Sequence, residues 1–473
     1  MKKIMSTILF ALITNVSFSQ TEKPTYKVVT EAIVKNYNSN NFEVIFSMFS
    51  SDMKKAVPQD QIKPFLNDLK KQVGNISKTE FVNYKNGSVA VYKTNFERAL
   101  YALNISLDAN SDINGFAVTP YVEETSSETV INNLFIEANV ITENQSELIF
   151  ENSKAFPNQT QVSIAFIKNG KVRYYGIKKT NDTISTVENY KSIFEIGSVS
   201  KVFTSTLLAN FVLDGKIKLN SHINDYLEIP FYNDLKITFK ELANHTSGLP
   251  RLPSNLDLEK VDLENPYKEY KEQELQEYLK NNLELFNTGE YQYSNLGVGL
   301  MGYILSEIGN TTYEDLLQAK IFSEYEMQNS TANINKVKGD LVSGINNEGK
   351  EIPNWEFSIL AGAGGILSTP EDLSKFVVAQ FDTSNKALEL TRQRTFNIND
   401  NMDIGLGWHL LKSQSENIWY WHNGGTGGYS SSVVFDKKTK NGIITLSNVS
   451  AFNPNMGNID KLCFELMKTL EKE

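Results

Sequence analysis

A single cysteine, Cys463, occurs in 473 residues, so no intramolecular disulfide can form and no metal–thiolate cluster can assemble. Stability has to come from large apolar cores, which a chain this long can build. A basic excess is missing too: 46 Lys and Arg stand against 56 Asp and Glu, interspersed, for a net charge of −10. That leaves no electrostatic footprint for nucleic acid and little attraction to an anionic membrane. Beyond the N-terminus no apolar run is long enough to span a bilayer. The opening stretch, MKKIMSTILFALITNVSFSQ, has two lysines, an apolar segment and small Ser17 and Ser19 before Gln20. That is the pattern of a secretory signal peptide over residues 1–19, and it implies an exported protein, periplasmic or extracellular, without stable membrane insertion. No cysteine follows the apolar segment to carry a lipid anchor.

Residues 25–72 carry apolar side chains at helical spacing, in TEAIVKNYN, FEVIFSMFSSDMKKAV and QIKPFLNDLKKQV. Residues 78–120 change to short alternating runs with turns at KNG and SDING. Helices followed by a meander predict an α+β accessory domain over 20–125, one curved sheet wrapped on the helices. At the level of the fold it resembles a nuclear transport factor-like cone. Residues 126–146, polar and without a strong period, read as a linker. A larger domain follows over 147–473. It opens on the hairpin VSIAFIKNGKVRYYGI, whose turn is Asn169-Gly170. Helical segments fill its middle, and strand-like YSSSVVFD and GIITLSN lie near its end before a last helix. Strands at both ends predict a sheet whose edges come from distant parts of the chain.

The stretch FEIGSVSKVFTSTLLANF, residues 194–211, holds the most informative local conflict. Serine three before lysine is a poor signal alone, since Ser51 and Lys54 share the spacing in a segment that reads as a solvated helix. At Ser198, however, a glycine precedes the serine and allows a close backbone approach. Val202, Phe203, Leu207, Leu208, Phe211 and Val212 make the following helix apolar nearly all round, hence buried. Lys201 stands in its first turn, where acids are preferred. Thr369-Pro370-Glu371-Asp372 begins a helix as those rules ask, with a cap, a proline and two acids. Residues three apart share a helix face, so the Lys201 amine can approach the Ser198 hydroxyl. Burial and the helix dipole both lower the lysine pKa toward a neutral, proton-accepting amine. Two readings stand at this point: a cap and a stray charge, or a nucleophile and its base.

Two further stretches bear on the choice. TGEYQYSNLGVGLMGYIL places Tyr293-Ser294-Asn295 ahead of an apolar helical run, and WYWHNGGTGGYSSSVVF leads from His422-Asn423-Gly424 into a glycine-rich strand entry. Taken singly, Tyr293 and Asn295 could be a buried tyrosine and a helix cap. His245 reads as a loop-fixing residue, and His222 and His409 have no metal-binding spacing. Together the three motifs form an ordered set of SxxK, YxN and HxG. With LANHTSGLPRLP, AGAGGILSTPEDLSKF and IGLGWHL around them, residues 147–470 resemble the serine β-lactamase and penicillin-binding protein superfamily, in the branch related to class C β-lactamases.

The resemblance implies an α/β (α+β sandwich) β-lactamase-like domain with an antiparallel sheet and an all-helical subdomain. It implies acyl transfer without a cofactor or metal, on a small-molecule or peptide substrate, peptidoglycan-derived ones included. Ser198, Lys201 and Tyr293 become the catalytic residues; Asn295, His422, Gly424 and Gly425 become the substrate and oxyanion residues. His422 departs from the lysine that many relatives carry, so a permanent cation is lost there. D-amino-acid peptides or small esters are the leading substrates, with a true β-lactamase and a non-catalytic penicillin-binding sensor or binding module as the alternatives.

Overall fold

Strands Gln161–Lys168 and Lys171–Thr180 pair antiparallel around Asn169 (φ 50°) and Gly170 (φ 78°), the left-handed pair that a two-residue hairpin turn requires. The structure, a computed structural model, describes residues 21–85, 88–121, 130–136, 139–258, 260–413 and 417–472, so the signal peptide expected over 1–19 lies outside the described residues. The chain divides into two compact units, residues 1–123 and 124–473.

In the first unit, helices Pro24–Asn38, Phe42–Ser47, Ser51–Ala56 and Gln59–Val73 precede a four-stranded antiparallel sheet. Its strands, Ile76–Lys85, Val89–Phe96, Leu100–Leu107 and Ile113–Pro120, lie side by side in chain order. Irregular register between Ile76 and Lys78 and between Phe81 and Asn83 marks bulges, which bend a sheet. Ile33, Tyr37, Ile62 and Leu66 from the helices share one core with Ala90, Tyr92, Leu103 and Ile105 from the strands. Ser51 and Lys54 do lie on an exposed helix face, where Lys54 Nζ donates to Ser47 O at 2.8 Å.

The second unit is built on a ten-stranded sheet whose late strands join its early ones: Asn441–Ser447 pairs antiparallel with Gln161–Lys168. The edges are Phe396–Asn399 and Ile131–Asn133, and every pairing but the last, between Ile131–Asn133 and Thr183–Val187, is antiparallel. The segment expected to be a linker thus holds an edge strand, and from Thr142 onward a helix, Glu143–Ser153, closed by a Thr142–Gln145 capping box.

Side-chain alternation decides what covers the sheet. Ala165, Ile167, Val433, Phe435, Ile444 and Leu446 point into a core shared with helices Ser200–Leu213, Asn295–Gly309 and Pro370–Ala379. Their neighbours Ile164, Phe166, Val434 and Ile443 point into the opposite core, shared with Glu143–Ser153 and Gly457–Lys472. Strands buried on both faces read as near-continuous apolar runs, as VVF and GII do here. The regular elements between the early and late strands are mostly helices, and they supply the wall opposite the sheet. Among the described residues no helix is long and apolar enough to cross a membrane.

Candidate active site

Ser198 lies in a 3-10 turn, Gly197–Val199, and the α-helix proper begins at Ser200. Gly197 has φ +49°, and a Cβ on it would stand 2.5 Å from Gly425 N, so only glycine lets the turn approach the sheet this closely. Ser431 Oγ donates to Ile196 O at 2.8 Å and Ile366 N donates to Ser200 Oγ at 3.1 Å, pinning the turn from two sides. Val202, Phe203, Leu207, Leu208 and Phe211 are buried around the helix, and Lys201 is fully buried among them. Ser198 itself remains half-buried.

Lys201 Nζ lies 3.0 Å from Ser198 Oγ, 2.9 Å from Asn295 Oδ1 and 2.6 Å from Ala363 O. Burial, with the positive Arg251 adding to it, holds the amine well below the ordinary lysine range. Asn295 is delivered by the helix Asn295–Gly309, capped by Ser294, whose Oγ accepts from Gly297 N at 2.9 Å. Ala363 is delivered by small residues. A Cβ on Gly302 would come within 3.1 Å of Gly362 Cα, so the Ser358–Ala363 turn sits directly on that helix. Thr204 Oγ1 fixes the same turn by donating to Gly362 O at 2.7 Å.

Tyr293 faces the Ser198 hydroxyl. Burial pushes its phenol up to about 12, against a smaller lowering by the hydrogen bond to Ser198 and by Arg251. Its ring is flanked by Lys201 Nζ at 4.9 Å from the centroid and by the Arg251 guanidinium carbon at 5.2 Å. His245, in the left-handed region at φ 63°, takes the Ser294 N–H on Nδ1 at 3.2 Å and lies 4.5 Å from the Tyr293 ring, centroid to centroid. The loop-fixing role read from the sequence matches this place beneath the tyrosine.

The third motif ends strand Ile418–Gly425. The neighbouring strand His409–Lys412 pairs with it only as far as Trp421, leaving the edge beyond open. Thr426 N donates to Tyr429 O at 2.9 Å, and amides alternate along an antiparallel strand, so the Gly425 N–H faces the open edge and the Gly197–Ser198 turn. Gly424 lies under the same turn: a Cβ there would meet Ile196 O at 2.1 Å and Ser198 N at 2.7 Å. His422 Nδ1 contacts Asn423 O at 2.6 Å; a carbonyl only accepts, so Nδ1 carries the proton. Burial first, then the neighbouring His409 and Lys201, hold this imidazole well below its ordinary range, and Nε2 is left as a buried acceptor with no partner among the described residues. His409, buried and pushed down to about 4, meets Tyr291 Oη through Nε2 at 2.9 Å.

All seven residues singled out in the sequence, Ser198, Lys201, Tyr293, Asn295, His422, Gly424 and Gly425, therefore converge on one cleft. Two contributors were not read there, the Ala363 carbonyl and Arg251. A backbone carbonyl has no residue-type signature, whereas Arg251 stood in view inside the LANHTSGLPRLP landmark. Among the described residues, no three His, Cys, Asp or Glu are grouped to hold a metal ion.

Comparison with known proteins agrees with this geometry. Residues 30–116 match a family model described as a protein of unknown function (DUF3887). Similar proteins include a β-lactamase of Escherichia coli K12, 24% identical over 62% of this chain and 85% of that one, and a β-lactamase of Pseudomonas fluorescens, 26% identical over 53% and 69%. Protein flp of Staphylococcus aureus is 22% identical over 66% of this chain and 64% of its own length. The fold is shared with the octameric penicillin-binding protein homologue from Pyrococcus abyssi (TM-score 0.58, 20% identity, 70% of this chain and 77% of that one). It is shared as well with a β-lactamase/D-alanine carboxypeptidase from Pseudomonas syringae (TM-score 0.56, 22% identity, 69% and 97%). Residues 154–462, well over half of the chain, match the Beta-lactamase family model, and the protein belongs to that family of serine hydrolases.

Proposed function

We propose that this is an exported serine hydrolase that opens peptide, amide or ester bonds through an acyl-enzyme on Ser198, with D-amino-acid peptides and small esters as its leading substrates. One observation carries the reading. Asn295 Oδ1 and Ala363 O can only accept hydrogen bonds, so they take both N–H groups of an uncharged Lys201 and leave its lone pair for the Ser198 O–H. A buried lysine fixed in this way is a base aimed at one proton.

In the forward step Ser198 Oγ bonds to the substrate carbonyl carbon and its proton passes to Lys201 Nζ. The oxyanion is met by the N–H groups of Ser198 and Gly425; losing one such donor typically costs about a hundredfold or more in rate. The bond to the leaving amine or alcohol then breaks as that group takes a proton from the Lys201–Tyr293 pair, which titrates as a unit. Water repeats the sequence in reverse roles: its proton goes to the same pair, its oxygen to the acyl carbon, and Ser198 is released with its hydrogen restored. Asn295 holds the amine and hydrogen-bonds the substrate's amide. Gly424 leaves the strand edge bare so that an extended substrate can lie along it.

A second reading, a true β-lactamase, is favoured by the relatives that bear that name. The neutral His422, offering an acceptor where a cation would grip a carboxylate, weighs against it. Nitrocefin turnover by the purified protein separates the two. For the common mechanism, intact mass after incubation with an uncharged fluorophosphonate should rise by one adduct located at Ser198, and the rise should be absent in Ser198→Ala. An unmodified wild-type protein would leave a binding module. An active Ser198→Ala would leave the serine as a mere cap, worth about 1 kcal/mol of stability.

A further inference from the structure

With His422 neutral, the third motif contributes no positive charge, yet the cleft is not uncharged. We propose that Arg251 binds an anionic group of the substrate, a carboxylate, on the Tyr293 wall of the cleft. The inference rests on the acyl-enzyme reading and names the substrate class of that site.

Arg251 is fixed to the second motif through its backbone. Its carbonyl accepts from Asn295 N at 3.0 Å and from Leu296 N at 3.1 Å, and the preceding Pro250 carbonyl accepts from Ser294 Oγ at 2.7 Å. The loop that carries it is therefore set by Ser294, Asn295 and Leu296, the three residues that directly follow Tyr293. Its side chain is exposed, with the guanidinium carbon 5.2 Å from the Tyr293 centroid, within cation–π range. Three other cations in the same helical region are matched by acids: Lys268 by Glu356 at 3.1 Å, Lys336 by Asp315 at 3.3 Å, Lys320 by Asp214 at 3.0 Å. Arg251 makes no ion pair among the described residues. Its charge reaches Lys201, His245, Tyr267, Tyr291 and Tyr293, and among the described residues no carboxylate counters it at any of these five.

A guanidinium on an exposed side chain, held over the ring beside the nucleophile, can pair with a planar carboxylate through two N–H groups. The alternative, that the arginine serves only to hold Lys201 neutral, needs no exposure, and burial already supplies most of that effect. The carboxylate can belong to the acyl portion of the substrate or to the leaving portion.

Two matched pairs distinguish these sources. Mono-p-nitrophenyl succinate against p-nitrophenyl butanoate places the charge on the acyl side. An N-acyl-D-alanyl-D-alanine against its C-terminal amide places it on the leaving side. The quantity read is the ratio of kcat/KM for the charged member over the neutral one. In at least one pair the ratio should fall about ten- to hundredfold in Arg251→Ala, recover in part in Arg251→Lys, and fall furthest in Arg251→Glu. A ratio that stays the same in all three variants for both pairs overturns the inference while leaving the hydrolase reading intact. Failure of the wild-type protein to take up the uncharged fluorophosphonate at Ser198 overturns both.

Discussion

Glu195 allows the electrostatics of this fold to be tested apart from catalysis. Its carboxyl is buried, and Oε1 accepts from Asn354 Nδ2 at 2.7 Å and from Trp355 N at 2.8 Å. Burial outweighs the opposing pull of the Thr426 hydroxyl and of those two bonds, and pushes the group from 4.5 up to about 7. A carboxyl raised above its unfolded value favours the fold while it is protonated. Its contribution is whole below pH 4.5 and is lost as pH rises through 7. At roughly 1.4 kcal/mol per pH unit, ionising it in the fold costs about 3 kcal/mol by pH 8. Glu195→Gln keeps a carbonyl oxygen for both donors and removes the ionisation. The variant should match the wild type near pH 4.5 and exceed it at pH 8 by about 3 kcal/mol as an upper bound, since water entry and relaxation reduce the cost. Urea unfolding followed by tryptophan fluorescence at pH 5, 6, 7 and 8 reads the difference; all four tryptophans, Trp355, Trp408, Trp419 and Trp421, lie in the second unit. A difference independent of pH, or one shrinking toward alkaline pH, would refute the claim that an uncharged Glu195 is what the interior holds.

Two changes test the machinery itself. Lys201→Arg keeps a charge that cannot be removed at working pH, so fluorophosphonate labelling of Ser198 should slow about a thousandfold, within the range that general-base catalysis supplies. In the wild type the same labelling should be lost as pH falls and gained as it rises through a lysine ionisation well below the ordinary 10.5. Gly424→Ala puts a methyl 2.7 Å from Ser198 N and 2.1 Å from Ile196 O. It should cost about a hundredfold in labelling rate through the oxyanion amide, with a lowered Tm from the backbone displacement; an unchanged rate would show that this amide is not used.

Much of the cleft could be read from the sequence because its side chains break local rules that the chain obeys elsewhere. Thr369 caps its helix by accepting Asp372 N at 3.0 Å, as the sequence predicts, and in the first unit Lys54 turns to a backbone carbonyl in an exposed helix. Against those two, a lysine opening a helix that is buried nearly all round is out of place, and its partners explain it. What stayed illegible is what depends on long-range placement of the backbone or on a partner far along the chain. Ala363 acts through a carbonyl, and its place is set by Gly302 meeting Gly362 across about sixty residues of sequence. The carboxyl of Glu195 meets Asn354, 159 positions away. Ile131–Asn133, three residues paired parallel to Thr183–Ser185, is too short to show any period, so the edge strand was hidden in what read as a linker. The two classes meet at Lys201. Its position and its burial follow from local sequence, but the aim of its lone pair does not, because the two acceptors that direct that lone pair to Ser198 come from residues 94 and 162 positions away. A lysine with only one of them would have a second N–H free to face the serine, and the same SxxK spacing would then mark a donor instead of a base.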